Sequence, residues 1–173
     1  MTRDASPAGG EYAKPLPPID PLTAPFWDSV KAHAMRLQRC GACGTFVFFP
    51  RPLCPVCFSD ALEWTPVSGR GVVHAFTIPH RHPSAAFQPD LPYVVAIVEL
   101  EEGPRLMTNL VQVAPDASQI AVGMPVEVVY DDVTPEVTLP KFRPTARRRA
   151  PDATVPGDPV PPRAWPTRGG AGQ

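Results

Sequence analysis

Four cysteines, Cys40, Cys43, Cys54 and Cys57, are all the cysteine the chain has, and they fall as two Cys-x-x-Cys pairs with ten residues between them. Each pair can put two thiolates on one ion from a single tight turn. The ten-residue gap suffices for a short hairpin to bring the second pair round and complete a tetrahedron. With four thiolates on the ion no position stays open for water or substrate, so such a metal holds structure and does not catalyse. Zinc is the expected ion; iron in the same cage, a dithiol redox centre and two disulfides are the alternatives weighed against it. The first ten residues, Met1-Thr-Arg-Asp-Ala-Ser-Pro-Ala-Gly-Gly, lack the apolar core of an export signal, and no stretch approaches the apolar length of a membrane span. A reducing cytoplasmic setting is therefore expected, where paired cysteines more often bind metal than bridge. Gly44 follows the first pair, but Phe58 and Ser59 follow the second, so a slight distortion of the second knuckle is expected.

The 26 prolines bar much of the chain from helices and central strands, and they cluster at its ends. Residues 1–21 and 144–173 read as flexible tails, the second of them basic. Residues 34–140 carry six Arg against eleven Asp or Glu, a net of −5, whereas residues 141–173 carry seven Lys or Arg against two Asp, a net of +5. An acidic body with a basic tail argues against a nucleic-acid surface, which needs its positive charge on the folded part. The run Arg147-Arg148-Arg149 reads as a solvated tail, or else as a contact with a phosphate-bearing ligand or acidic partner.

Thr23 as N-cap, Pro25 in the first turn and Asp28 near the N-terminus predict a short helix within residues 22–34. Phe26 and Val30 would form its apolar stripe and Trp27 a neighbouring face, packed on this chain's core or on a partner. Residues 35–67 read as a zinc ribbon of two small hairpins, too poor in apolar residues to hold without metal. Residues 68–143 then change pattern. Five β-branched runs, at 71–79, 93–100, 105–113, 125–130 and 136–142, are bounded by Pro or Gly, with a tight turn at 101–104 and a turn or short helix at 116–122. The expected fold is mainly β: a short helix, a zinc ribbon and a five-stranded OB-type barrel.

These residues carry a resemblance. Leu37-Gln-Arg-Cys-x-x-Cys-Gly, Pro50-Arg-Pro-Leu-Cys-Pro-x-Cys, Trp64, Ser68-Gly-Arg-Gly, Pro92-Tyr-Val-Val-Ala-x-Val-Glu-Leu, Gly123-Met-Pro-Val and Leu139-Pro-Lys-Phe-Arg-Pro occur in that order. The set resembles the acyl-CoA-associated zinc-ribbon/OB-fold family over residues 25–144. Phe58, at a knuckle position usually held by Gly, and the two tails depart from the pattern. The resemblance implies a rubredoxin-like form for the ribbon, and a small non-catalytic partner of a thiolase-like enzyme, such as a β-ketothiolase or a lipid-transfer-type aldolase, in steroid, aromatic or fatty acid degradation. A nucleic-acid-binding OB protein is the rival from another class.

The chemistry of the remaining residues is consistent with an accessory role. Ser84 and Ser118 sit in no nucleophile motif, and every cysteine is spoken for. His80 and His82, flanking Arg81, suggest a second metal or a base, but with no third ligand or carboxylate nearby they read as loop groups; His74 reads as a strand residue. Ser68-Gly69-Arg70-Gly71 lacks the lysine and helix of a phosphate loop and reads as a turn from ribbon to barrel. If coenzyme A touches this chain, the cations placed for it are Arg70, Arg81, Lys141 and Arg143, with Phe142 to stack on adenine.

Overall fold

The computed structural model describes residues 12–145; Arg147, Arg148, Arg149 and the rest of 146–173, like 1–11, lie outside the described residues. The first element is helix α1, Ala24–Lys31, with Pro25 in its first turn where a missing N–H costs nothing. Thr23 stands at the N-cap as expected, but its side chain makes no capping hydrogen bond. Asp20 instead closes the turn leading into the helix: its carboxylate accepts from the N–H groups of Leu22 and Thr23 at 2.9 and 2.8 Å, and its carbonyl accepts from Ala24 N at 2.8 Å. Asp28 lies beyond the first turn and does not face the helix N-terminus. Phe26 and Val30 are buried, and they join Met35, Leu37 and the barrel interior in one apolar cluster. Phe26 and Val30 thus pack on this chain's own core, while Trp27 on the neighbouring face is only partly buried.

Three strands make the ribbon: β1, Arg36–Cys40; β2, Phe46–Val47; and β3, Leu62–Pro66. They pair antiparallel in the order β2-β1-β3, with Gln38 facing Val47 on one side and Trp64 on the other. Gln38 is buried, and its amide is satisfied twice by one residue: it accepts from Arg51 N at 2.8 Å and donates to Arg51 O at 3.1 Å. This pins the connection between the two cysteine pairs against the sheet.

Five further strands close a barrel in the order β4-β5-β6-β8-β7: β4, Arg70–Thr77; β5, Val94–Leu100; β6, Arg105–Leu110; β7, Pro125–Asp132; and β8, Thr138–Pro144. The alternation is plain in β5, where Val94, Ala96, Val98 and Leu100 are buried. Two glycines seat β4 at the junction. A Cβ on Gly71 would lie 2.3 Å from the Glu99 carbonyl oxygen; Gly69 has φ +69°, and a Cβ there would lie 2.4 Å from Val128 Cγ1. The Ser68–Gly71 run is thus a close-packed turn into the barrel.

Closure is completed by β6 and β8, which run parallel and share one ladder pair, Leu110 with Phe142. Val111 N donates to Phe142 O at 2.8 Å, and Thr108 Oγ1 donates to Pro140 O at 2.9 Å. Pro140, two residues before Phe142, has no N–H with which to continue the ladder. The long connection between β4 and β5 contains a 3-10 turn, Ala85–Asp90, capped by Ser84 Oγ. Lys14 reaches this connection, pairing with Asp90 and lying 5.7 Å from the Phe87 ring centroid, so part of the expected N-terminal tail contacts the barrel. No helix among the described residues is long and apolar enough to cross a membrane.

Candidate metal centre and apolar groove

The two cysteine pairs sit on matching knuckles. Gly44 N donates to Cys40 O at 2.8 Å and Phe58 N to Cys54 O at 2.9 Å; likewise Cys40 N donates to Thr45 O and Cys54 N to Ser59 O, both at 2.9 Å. The second knuckle keeps this geometry because Phe58 takes the left-handed backbone, φ +61°, that Gly44 takes at +76°. The expected distortion is replaced by strain, which for a residue with a Cβ is of order 1–2 kcal/mol.

The four sulfurs lie within 4.8 Å of one another, with Cys40 Sγ 3.5 Å from Cys57 Sγ and Cys43 Sγ 3.6 Å from Cys54 Sγ. A tetrahedron with metal–sulfur bonds of about 2.3 Å has edges of about 3.8 Å, so the set fits one ion. Cys40 and Cys54 are buried and Cys43 and Cys57 exposed. The neighbouring thiols help Cys43 to ionise and oppose the ionisation of Cys57. Cys43 is drawn down to about 6, chiefly by the Thr45 hydroxyl and N–H. At Cys57 the Ser59 N–H pulls downward, but the neighbouring sulfurs and burial outweigh it and push the thiol up to about 12. A cation among them removes that conflict. Among the described residues no other group of three or more candidate ligands converges.

Of the histidines, His82 packs on Phe87 at 4.3 Å and its Nδ1 accepts from Ser84 N at 3.1 Å, which makes it part of the loop's own structure. His74 lies on the outer face of β4, its Nδ1 3.7 Å from Glu99. Arg70 pairs with Glu101, Lys141 with Asp131 and Arg143 with Glu127, while no ion pair forms at Arg81 among the described residues. Arg70, Glu127 and Arg143 occupy one cross-strand row over β4, β7 and β8. Phe142 is fully buried in the barrel, at 0% exposure, so it is a core residue and offers adenine no stacking surface.

A second feature was not foreseen from the sequence. An apolar groove of about 370 Å³ opens between α1, the segment following β2 and the β6–β8 seam, lined by Phe26, Trp27, Phe48, Phe49, Met107 and Leu139 among others. Met107 is 78% exposed. The Trp27 Nε1–H is buried there without an acceptor among the described residues. These residues come together from four separate elements, and only the outward register of Met107 in β6 hints at them locally.

A helix-flanked ribbon with a four-sulfur metal site, joined to an OB barrel, defines a class of two-module β proteins. Residues 27–63 match the rubredoxin-like zinc ribbon domain of ChsH2, and residues 64–131 match the ChsH2 C-terminal OB-fold domain. The chain therefore belongs to the ChsH2/DUF35 family of zinc-ribbon and OB-fold proteins. It is 43% identical to a chain of the solved Ltp2-ChsH2(DUF35) aldolase, with a TM-score of 0.67, covering 75% of this chain and 98% of that one. It is 40% identical to the 3-oxo-4,17-pregnadiene-20-carboxyl-CoA hydratase alpha subunit of Mycobacterium tuberculosis over 64% of this chain and 34% of that subunit. It is 34% identical to a DUF35 domain-containing scaffold protein of Methanocaldococcus jannaschii, over 64% of this chain and 78% of that protein. The chain spans 34–40% of the length of the hydratase alpha subunits it matches.

Proposed function

We propose that this chain is a non-catalytic accessory subunit of a thiolase-superfamily enzyme, a lipid-transfer-type aldolase acting on a steroid-like acyl-CoA, and that its ribbon holds one structural zinc ion. The observation that carries this is the 43% identity to a chain of the Ltp2-ChsH2(DUF35) aldolase over 98% of that chain's length. The relative whose name includes a pregnadiene carboxyl-CoA supports the acyl class. The hydratase names belong to chains more than twice as long as the stretch matched here, and do not transfer with it.

The residues favour support over chemistry. All four cysteines converge on one ion site, leaving no thiol to be acylated. Ser84 Oγ accepts from Ala86 N in capping its turn, and Ser118 N donates to Asp116 in a turn of its own. Contact with coenzyme A, if made, falls to Arg81 in the β4–β5 loop and to Arg70, Lys141 and Arg143, whose carboxylate partners would have to be displaced or shared.

Co-expression with the thiolase-type aldolase subunit of the same organism tests the assignment. A stable heterocomplex, one zinc per chain by elemental analysis, and retro-aldol activity that needs both chains are expected. Turnover of an acyl-CoA thioester or enoyl-CoA by this chain alone, or a thiolase-type subunit indifferent to its presence, would overturn it.

A further inference from the structure

Phe58 is a poor choice for folding alone. Its backbone is left-handed, the conformation for which the other knuckle uses Gly44, and its ring is 76% exposed, so glycine would remove both strain and exposed apolar surface. Two more apolar side chains stand out beside it in the sequence, Val56 at 63% and Leu53 at 47% exposure. From 52 to 59 there is no Asp, Glu, Lys or Arg, in a chain whose folded body is acidic, and the only ionising groups there are the candidate metal ligands Cys54 and Cys57. Among the described residues the Phe58 ring stacks on no other ring, whereas Phe48 and Phe49 both pack on Phe26. Strain kept at an exposed aromatic marks a site selected for something outside the fold.

We propose that the second metal knuckle is a docking tip, with Phe58, Val56 and Leu53 entering a neutral apolar pocket on the thiolase-type subunit. This rests on the accessory-subunit reading above and names the surface through which that role is exercised. The chemistry fits the centre of an interface, which is depleted of charge and enriched in aromatic residues. With a metal ion on Cys54 and Cys57, and with Gln38 holding Arg51, the tip would meet its pocket already ordered and lose little conformational freedom on binding. A second copy is the weaker occupant. Tip and groove are different surfaces, so inserting the tip of one copy into the groove of the next gives a head-to-tail contact that runs on to rings or filaments.

The test is calorimetric titration of the zinc-loaded full chain with the co-expressed thiolase-type subunit, comparing wild type with Phe58→Gly, Phe58→Asn and Val56→Asp. Glycine and asparagine both accept the left-handed backbone, so zinc content is retained and thermal stability is not lost in the first two. The expected result is a loss of affinity of about thirtyfold or more in each variant, as for a buried aromatic anchor. Unchanged affinity in Phe58→Gly and Val56→Asp, with wild type binding, overturns the docking tip and leaves the accessory role intact. Self-association of wild type that vanishes in Phe58→Gly while the heterocomplex is unaffected also overturns it, in favour of a second copy. If wild type forms no heterocomplex, the accessory reading itself fails, and the tip assigned to that subunit fails with it.

Discussion

His33 lies flat on Tyr130, the rings 4.8 Å apart and their planes 3° from parallel, so the turn after α1 is clamped to the C-terminal end of β7. The clamp has two further bonds. His33 Nε2 stands 3.0 and 3.2 Å from the carboxylate oxygens of Asp132, and the Tyr130 hydroxyl accepts from Met35 N at 3.1 Å. Helix, ribbon and barrel meet at this point, which gives the modules a fixed relative orientation without a linker.

The clamp predicts a pH dependence. The hydrogen bond from His33, and then that from Thr138, hold the Asp132 carboxyl below its ordinary value of 3.8. A carboxyl whose folded pKa is depressed contributes stability above its unfolded pKa and loses it as pH falls through the folded one. Asp132→Asn should therefore lower the melting temperature by a few degrees near pH 6, with the difference from wild type shrinking below about pH 4. Paired thermal scans check this, because acid effects on the thiolates are common to both proteins.

Metal release should be steeply acid-sensitive. Cys43, at about 6, is already thiolate near pH 7.5, whereas Cys57, at about 12 without a cation, is not. Zinc binding at pH 7.5 should thus release fewer than four protons, and affinity should fall sharply below pH 6. Calorimetry in buffers of different ionisation heat counts the protons. Chelation or Cys54→Ser should unfold the ribbon and uncover the barrel face beneath Met35 and Leu37.

Gly71→Ala should be costly. The added methyl meets the backbone of β5 at 2.3 Å and Val98 Cγ1 at 3.0 Å, and neither can swing away as the end of a flexible side chain could. A loss of about 2–3 kcal/mol in denaturant unfolding is expected.

Phe58→Gly should go the other way. Relief of roughly 1–2 kcal/mol of backbone strain exceeds the roughly 0.5–1 kcal/mol of entropy that glycine loses on folding, for a net gain of about 0.5–1 kcal/mol. Chemical denaturation of the zinc-loaded chain measures it.

What could be read from the residues followed the range of the signal. The metal site was legible because all its ligands lie within eighteen residues and their spacing is itself the chemistry. The five barrel strands were legible from β-branched runs between Pro and Gly. Phe142 was misplaced although parity identifies it: Lys141 and Arg143 face out, so the residue between them faces in. Thr23 does stand at the N-cap, but its side chain makes no capping bond, and Asp20, three residues earlier, orders the preceding turn by accepting from the N–H groups of Leu22 and Thr23. The groove left no local trace beyond the outward register of Met107, since Trp27, Phe49, Met107 and Leu139 meet only through tertiary packing.

The barrel wall is laced unevenly, and its thinnest stitch is the parallel meeting of Leu110 with Phe142. Breathing should begin there, so the Val111 amide should take up deuterium well before that of Val98, which is bonded deep within an antiparallel ladder. A subunit pressing over that margin would meet a sheet with one loose hem, and by holding the hem shut could make the whole cylinder harder to open.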